Sequence, residues 1–396
     1  MRNLSQRVLS ASESQTLAIA ARAKQMKKSG LDVISLSTGE PDFATPDCAK
    51  QAALKAIEQN FTHYTESNGI PELRVAVANK FQRDNNIINA NDSTILISCG
   101  AKHSIMNALN AICNVGDEVI VIAPYWVSYP AMVTITGATP VIINTTAEQS
   151  FKVTAEQIQQ ALSPKTTCII FNSPSNPTGM MYTLQEFDAI ANVLAQHDCY
   201  ILSDEIYEKI HYGIHPHISL GSYPQLENRV ITVNGCSKAY AMTGWRIGYM
   251  NAPKEVFEQA AKIQSQDTSN PTSIAQHAAL AALLNANDDV ETMRKEFTRR
   301  REMVCGLVDA IGGVRYLQPD GAFYLWVDIS SILNNHSTVK TANDFCQLLL
   351  DNHYLALVPG EAFGTEGYVR FSFAANDHDI TQGVTRFARL CSELSS

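Results

Sequence analysis

The sequence is poor in charge. Of 396 residues, 17% are Asp, Glu, Lys or Arg, and 30 basic side chains face 39 acidic ones, a formal net charge of -9. A surface of that sign has no general attraction for nucleic acid or an anionic membrane, so neither is expected as a partner. No apolar run reaches the ~18 residues of a membrane-spanning helix. The opening Met1-Arg2-Asn3-Leu4-Ser5 leads into no apolar leader segment. The nine cysteines are odd in number and include no CxxC pair, which argues against a disulfide framework. Free thiols in a reducing, cytoplasmic setting are expected. Repeats, low-complexity tracts and long polar linkers are also missing, and a chain of this length is expected to form two or three domains.

What is present is an alternation of strand and helix. Helices are expected over 15–29, 49–59 and 71–83, the last with a proline in its first turn, and a short strand over Val33 to Ser37. From about residue 93 the pattern becomes α/β. Short Ile- and Val-rich strands are expected at 94–98, 118–122, 139–143, 167–171, 200–203 and 230–233. They alternate little between apolar and polar, as strands covered on both faces do. Helices are placed at 102–113, 183–197 and 253–263, and a long helical stretch from 275 to about 311. Its basic run Arg299-Arg300-Arg301 reads as a solvated helix face. The reading is a large domain over 50–285 with a mostly parallel sheet, and a small α+β domain over 286–396 joined by part of an N-terminal segment, 1–49.

Ligand groups of such sheets gather beyond the carboxyl ends of the strands, and four polar clusters fall there. Ser237-Lys238 to Gly244-Trp245-Arg246 follows the strand at 230–233. A lysine there can reach into a cleft and bond covalently to an aldehyde, while Ser237 and Arg246 suit a phosphate. Alone, such a lysine is usually surface decoration. Ser98-Cys99-Gly100-Ala101-Lys102 joins a strand to a helix start, where amides and dipole favour an anion, although small residues there also serve tight packing. Asp204-Glu205-Ile206-Tyr207 fits either a helix cap or a carboxylate placed against a protonated ring nitrogen. Asn172 to Gly179, with Pro174, Asn176 and Pro177, is either a plain turn or a rigid mount for the Asn176 amide. Trp126 could stack on a ring, although an aromatic after a strand is usually core. Arg370 lies among Val369, Phe371 and Phe373, a setting that predicts a buried strand whose arginine needs an anion. His103 has no ligand-type neighbours in sequence and reads as a surface or packing histidine; no metal is expected.

Lys238, Asn176, Asp204, Tyr207, Arg246 and Arg370, with Gly39-Glu40-Pro41-Asp42-Phe43 near the N-terminus, resemble the class I and II aminotransferases, pyridoxal-phosphate enzymes of fold type I. The likeness covers essentially the whole chain and is greatest to the bacterial aspartate aminotransferase subgroup. It implies that Lys238 carries the cofactor and that Asp204 pairs with the ring nitrogen. It implies that Asn176 and Tyr207 bind the ring oxygen and that Trp126 stacks on the ring. Gly100, Ala101, Ser237 and Arg246 would hold the phosphate, joined by Tyr64 from a neighbouring subunit in a homodimer with shared active sites. Arg370, with Gly39 and Asn176, would hold the substrate α-carboxylate. Lys102, with Ser14 and Thr16, would bind the distal carboxylate of aspartate or glutamate. Subgroup members that also accept prephenate tend to carry a basic residue just before that pair, where this chain has Ser12. Transfer between an acidic amino acid and a 2-oxo acid is therefore expected. The alternatives are an aminotransferase for alanine, aromatic or prephenate substrates, a pyridoxal-phosphate lyase or synthase, and a non-enzymatic binding protein.

Overall fold

The computed structural model describes residues 4–13, 15–213 and 215–395. Seven strands form the main sheet, in the order Ile95–Ser98, Gly248–Asn251, Val230–Gly235, Tyr200–Asp204, Thr166–Asn172, Glu118–Ala123, Thr139–Asn144. All run parallel except Gly248–Asn251, which is antiparallel to both of its neighbours. Apart from the edge strand Thr139–Asn144, where Ile142 is exposed, the Ile and Val runs are buried on both faces, which explains their lack of alternation.

The Gly248–Asn251 strand escaped the sequence reading because Gly-Tyr-Met-Asn carries no β-branched residue. Its glycine is required by position. A Cβ on Gly248 would lie 2.1 Å from the Ala101 amide nitrogen, so only a bare backbone lets the strand approach the start of helix Ala101–Ile112. Helices Tyr129–Thr136 and Ala155–Ala161 were also missed. The first ends in a run of β-branched residues that suppresses helix propensity. The second did have a signal, the Thr154–Gln157 capping box.

A four-stranded antiparallel sheet, Val358–Pro359, Tyr368–Ser372, Tyr324–Asp328 and Arg315–Tyr316, occupies the C-terminal third. Ile34–Ser35 pairs in parallel with Leu355–Ala356 and ties the N-terminal segment to that region. The nine cysteines are free. No helix among the described residues is long and apolar enough to cross a membrane.

The reading of Arg299-Arg300-Arg301 as a solvated face is corrected. Only Arg299 is exposed; Arg300 and Arg301, on helix Asn287–Asp309, are each 7% exposed. Arg300 donates to Asp42 at 2.7 Å and to Glu296 at 3.0 Å, and lies over the Phe43 ring. Arg301 donates to the Pro319 carbonyl at 3.1 Å and stacks on Tyr212. Three consecutive helix residues span about 200° of the barrel, so a basic triplet cannot all face one way. Arg300→Ala leaves Asp42 without its buried partner and strips the Phe43 contact. It should cost about 2–3 kcal/mol of stability, read by denaturant unfolding. A loss within 0.5 kcal/mol, as roughly expected of a surface position, would mean that the pair is only decorative.

Candidate active site

Because the parallel strands share one direction, the loops after Ser98, Ala123, Asn172, Asp204 and Gly235 open on the same edge of the sheet. They enclose a cavity of about 450 Å³. Lys238, Asp204, Tyr207, Asn176, Trp126, Ser237, Arg246, Ala101, Lys102, Gly39, Thr16 and Arg370 all line it. Gly100 stands directly behind Arg246. Tyr64 is 88% exposed and does not line this cavity. Ser14 lies outside the described residues.

Asp204 ends its strand and is not a helix cap. Its buried carboxylate accepts from Tyr129 Oη at 2.7 Å and from the Ile206 amide at 3.2 Å. Burial raises its pKa to about 6, against the pull of those two donors. A carboxylate in that state gains from any cationic or N–H partner entering the cavity. The strand end is pinned from the side, because Asn172 Nδ2 donates to the Asp204 carbonyl at 3.0 Å. The Asn172 Oδ1 accepts from the Asn176 backbone amide at 2.8 Å, which ties the proline-rich turn to the strand end.

Arg370 is 2% exposed. It donates to Asn176 Oδ1 at 2.8 Å and to the Ser37 carbonyl at 2.7 Å, while its Nε has no partner. The guanidinium is sandwiched between Tyr324 and Phe363, 4.3 and 4.9 Å from their ring centres. Tyr324 also meets Tyr207, hydroxyl to hydroxyl, at 2.7 Å. Burial drives the Tyr207 phenol well above its ordinary pKa, so it stays a neutral donor. Lys238 Nζ donates to the Gly39 carbonyl, and burial, partly countered by Glu40, lowers its pKa to about 8. Lys102 lies over the Trp126 ring at 4.9 Å, its pKa lowered by burial and then by Arg246. The Thr16 hydroxyl is buried with no partner among the described residues.

The aminotransferase class I and II family matches residues 31–387. The chain belongs to that family. It is 41% identical over 387 residues to an aspartate aminotransferase of Bacillus sp. (strain YM-2), covering 98% of each chain. It is 43% identical to an aspartate/prephenate aminotransferase of Cereibacter sphaeroides, covering 96% of this chain and 97% of the relative. Its fold is similar to that of the aspartate aminotransferase of Thermus thermophilus solved with maleate, at a TM-score of 0.93 and 40% identity over 98% of this chain and 100% of that one.

Several residues that contact the cavity's polar side chains carried no legible sign in sequence. Tyr129 looks like any buried aromatic until the fold brings it to Asp204, 75 residues away. Tyr324, on the strand beside Arg370 in the second sheet, and Phe363, at the end of the turn Gly360–Phe363, reach Arg370 only through the fold. Behind Asp204, Glu205 accepts from Ser203, Ser219 and Asn85 and pairs with His217 at 2.9 Å. Glu208 pairs with Lys80. Glu205, Glu208 and His217 converge as metal ligands do, but the Lys80 ammonium supplies the positive charge in their midst. His103 is more than a packing residue: its ring links the Cys99 amide to Asp267.

The lowered pKa of Lys238 has a measurable consequence. Its amine becomes nucleophilic once neutral, so with pyridoxal phosphate as an aldehyde probe the rate of covalent loading should climb with pH up to about 8 and then level off. Borohydride trapping and peptide mass spectrometry should find the label on Lys238, and Lys238→Ala should take none there. A rate still rising at about pH 10, the range of an ordinary lysine, would mean that the fold leaves this amine unperturbed.

Proposed function

We propose that this aminotransferase carries pyridoxal phosphate on Lys238 and moves the amino group between aspartate or glutamate and a 2-oxo acid. One observation carries the reading. Lys102, Lys238, Arg246 and Arg370 line one cavity, and none of them makes an ion pair among the described residues. The acidic side chains lining it are Glu40 and Asp204. Such a surplus of positive charge around one cavity, from the buried Arg370 and half-buried Lys238 to Lys102 and Arg246 at its open side, suits a ligand set with several anionic groups, namely one phosphate and the two carboxylates of an acidic amino acid.

The residues fit the cofactor. Gly100 has φ +90°, and a Cβ there would lie 2.3 Å from Arg246 Nη2, so the turn keeps the space beside that guanidinium clear. The amides of Ala101 and Lys102 open a helix and have no acceptor within it. With Ser237 and Arg246 they make a phosphate cup. Trp126 would cover the ring, Asp204 would hold the ring nitrogen's proton, and Tyr207 and Asn176 would face the ring oxygen. When bound, pyridoxal phosphate supplies a carbonyl for the substrate's amino group and a ring that takes up the α-carbon's electron pair.

Arg370 binds the substrate α-carboxylate, its Nε being unspent and Asn176 steadying its other edge. Lys102, with the Thr16 hydroxyl, takes the distal carboxylate. Lys238 Nζ, released when the substrate's amino group takes its place on the aldehyde and about half neutral at pH 8, would remove the proton from the substrate α-carbon. Maleate, with which the Thermus thermophilus enzyme was solved, is itself a dicarboxylate. The aspartate/prephenate name of the Cereibacter sphaeroides relative makes prephenate the acceptor to test second.

The sheets support the division read from sequence: 50–285 as the cofactor domain, 286–396 as the small domain, and 1–49 as an N-terminal arm. Tyr64 is proposed to complete the phosphate cup of a second subunit. Its exposure, and that of Leu54, Ile57 and Phe61 just before it, supports a face that a partner covers. The free cysteines accord with a cytoplasmic location.

Two measurements test these readings. Conversion of the cofactor form by single amino acids should be fastest with aspartate or glutamate. Lys102→Ala should lower kcat/KM for aspartate by about 30-fold or more and for phenylalanine far less, at saturating cofactor. An equal drop for both would reduce Lys102 to a structural role. For the dimer, Tyr64→Ala and Lys238→Ala chains co-expressed should form mixed dimers with one intact site and recover activity that the Lys238→Ala protein lacks. A fully active monomer in sedimentation would overturn the shared site.

A further inference from the structure

His103 sits in the first turn of helix Ala101–Ile112, directly after the phosphate-cup turn. Its Nδ1 accepts from the Cys99 amide at 3.2 Å. A backbone N–H can only donate, so Nδ1 must present its lone pair and the ring hydrogen must sit on Nε2. Nε2 faces Asp267 Oδ2 at 3.2 Å, which takes that hydrogen and holds the tautomer. The other side of Cys99 is held as well, because its carbonyl accepts from Arg246 Nη2 at 3.2 Å. The Gly100 amide folds back on the Ser98 carbonyl at 2.7 Å. The Cys99 peptide and the Gly100 amide are thus committed, which leaves the Ala101 and Lys102 amides as backbone donors of the cup, beside the unpartnered Ser98 hydroxyl. Arg246 is oriented from its far side too, by the Thr243 carbonyl at 2.9 Å.

We propose that His103 is a positioning residue for the cofactor phosphate. With Asp267 behind it, the imidazole clamps the Cys99 peptide so that Arg246 and the helix-start amides are aimed together at the anion. The inference rests on the reading of this turn as a phosphate cup. Without the clamp, the Cys99 amide has to find water, the turn gains freedom, and Arg246 loses a fixed carbonyl against which to orient. The effect is specific to the phosphate, because the hydrogen bonds of the His103 ring among the described residues go to Cys99 and Asp267 and to none of the side chains assigned to the ring or the substrate.

Pyridoxal, the same aldehyde without the phosphate, separates the possibilities. Dissociation constants for pyridoxal phosphate and for pyridoxal would be measured on the full-length wild type, His103→Ala and His103→Gln, with thermal unfolding of each. Wild type should prefer the phosphorylated form strongly. His103→Ala should weaken pyridoxal phosphate about five- to tenfold, as expected for one lost hydrogen bond, and leave pyridoxal unchanged. His103→Gln should restore most of the loss, since its carbonyl can accept from Cys99. If His103→Ala folds poorly, Asp267→Ala should give the same selective signature at smaller size. An equal loss for both ligands, or no loss, would overturn the positioning role while the wild-type preference still upheld the cup. A wild type with no preference would overturn the cup itself, and the proposal with it.

Discussion

The structure depends on one electrostatic constraint. Cations from distant parts of the chain are gathered in one cavity and denied carboxylate partners there. A desolvated charge without a counterion is costly, and the protein meets that cost at Arg370 and Lys238 with neutral groups: carbonyls for both and aromatic faces for Arg370, while the more exposed Lys102 lies over Trp126. These partners hold the cations in place without neutralising them. The field left over is what recognises an anionic ligand, and it explains why burial pushes Lys238 and Lys102 toward neutrality.

The same logic runs in reverse at Asp204. It is a buried carboxylate at the end of a central strand, without an ion pair among the described residues and fed by a phenol and one amide. Packing around it is unusually polar, yet almost every charge there is compensated. Lys80 balances Glu208, and Glu205 is surrounded by hydroxyl, amide and imidazole donors. That network fixes the turn from Asp204 to Glu208, and so the relative placement of Asp204 and Tyr207. Rigidity behind the site and unspent charge within it are complementary: the first lets the second persist without collapse of the turn.

The parallel sheet was legible because its strands are covered on both faces and therefore read as unbroken Ile and Val runs. The lining of the candidate cavity was legible where a residue's type and its place after a strand coincide, as at Lys238, Asp204 and Asn176. Strand Gly248–Asn251 was not, because a strand defined by close approach of bare backbone has no hydrophobic pattern to detect. Arg300 and Arg301 were misread because a basic run looks solvated until the partners that bury it, Asp42 and the Pro319 carbonyl, arrive from elsewhere in the chain.

By itself, then, the sequence determined the α/β alternation, the family and the chemical identity of the side chains at the strand ends, all of which follow from local pattern and residue type. The tertiary structure alone decided which of those side chains are paired and which are left unspent. Tyr129 on Asp204, Tyr324 on both Tyr207 and Arg370, and Lys80 on Glu208 are contacts between segments far apart in sequence. No local periodicity encodes them, because they exist only once the sheet order has brought those segments together.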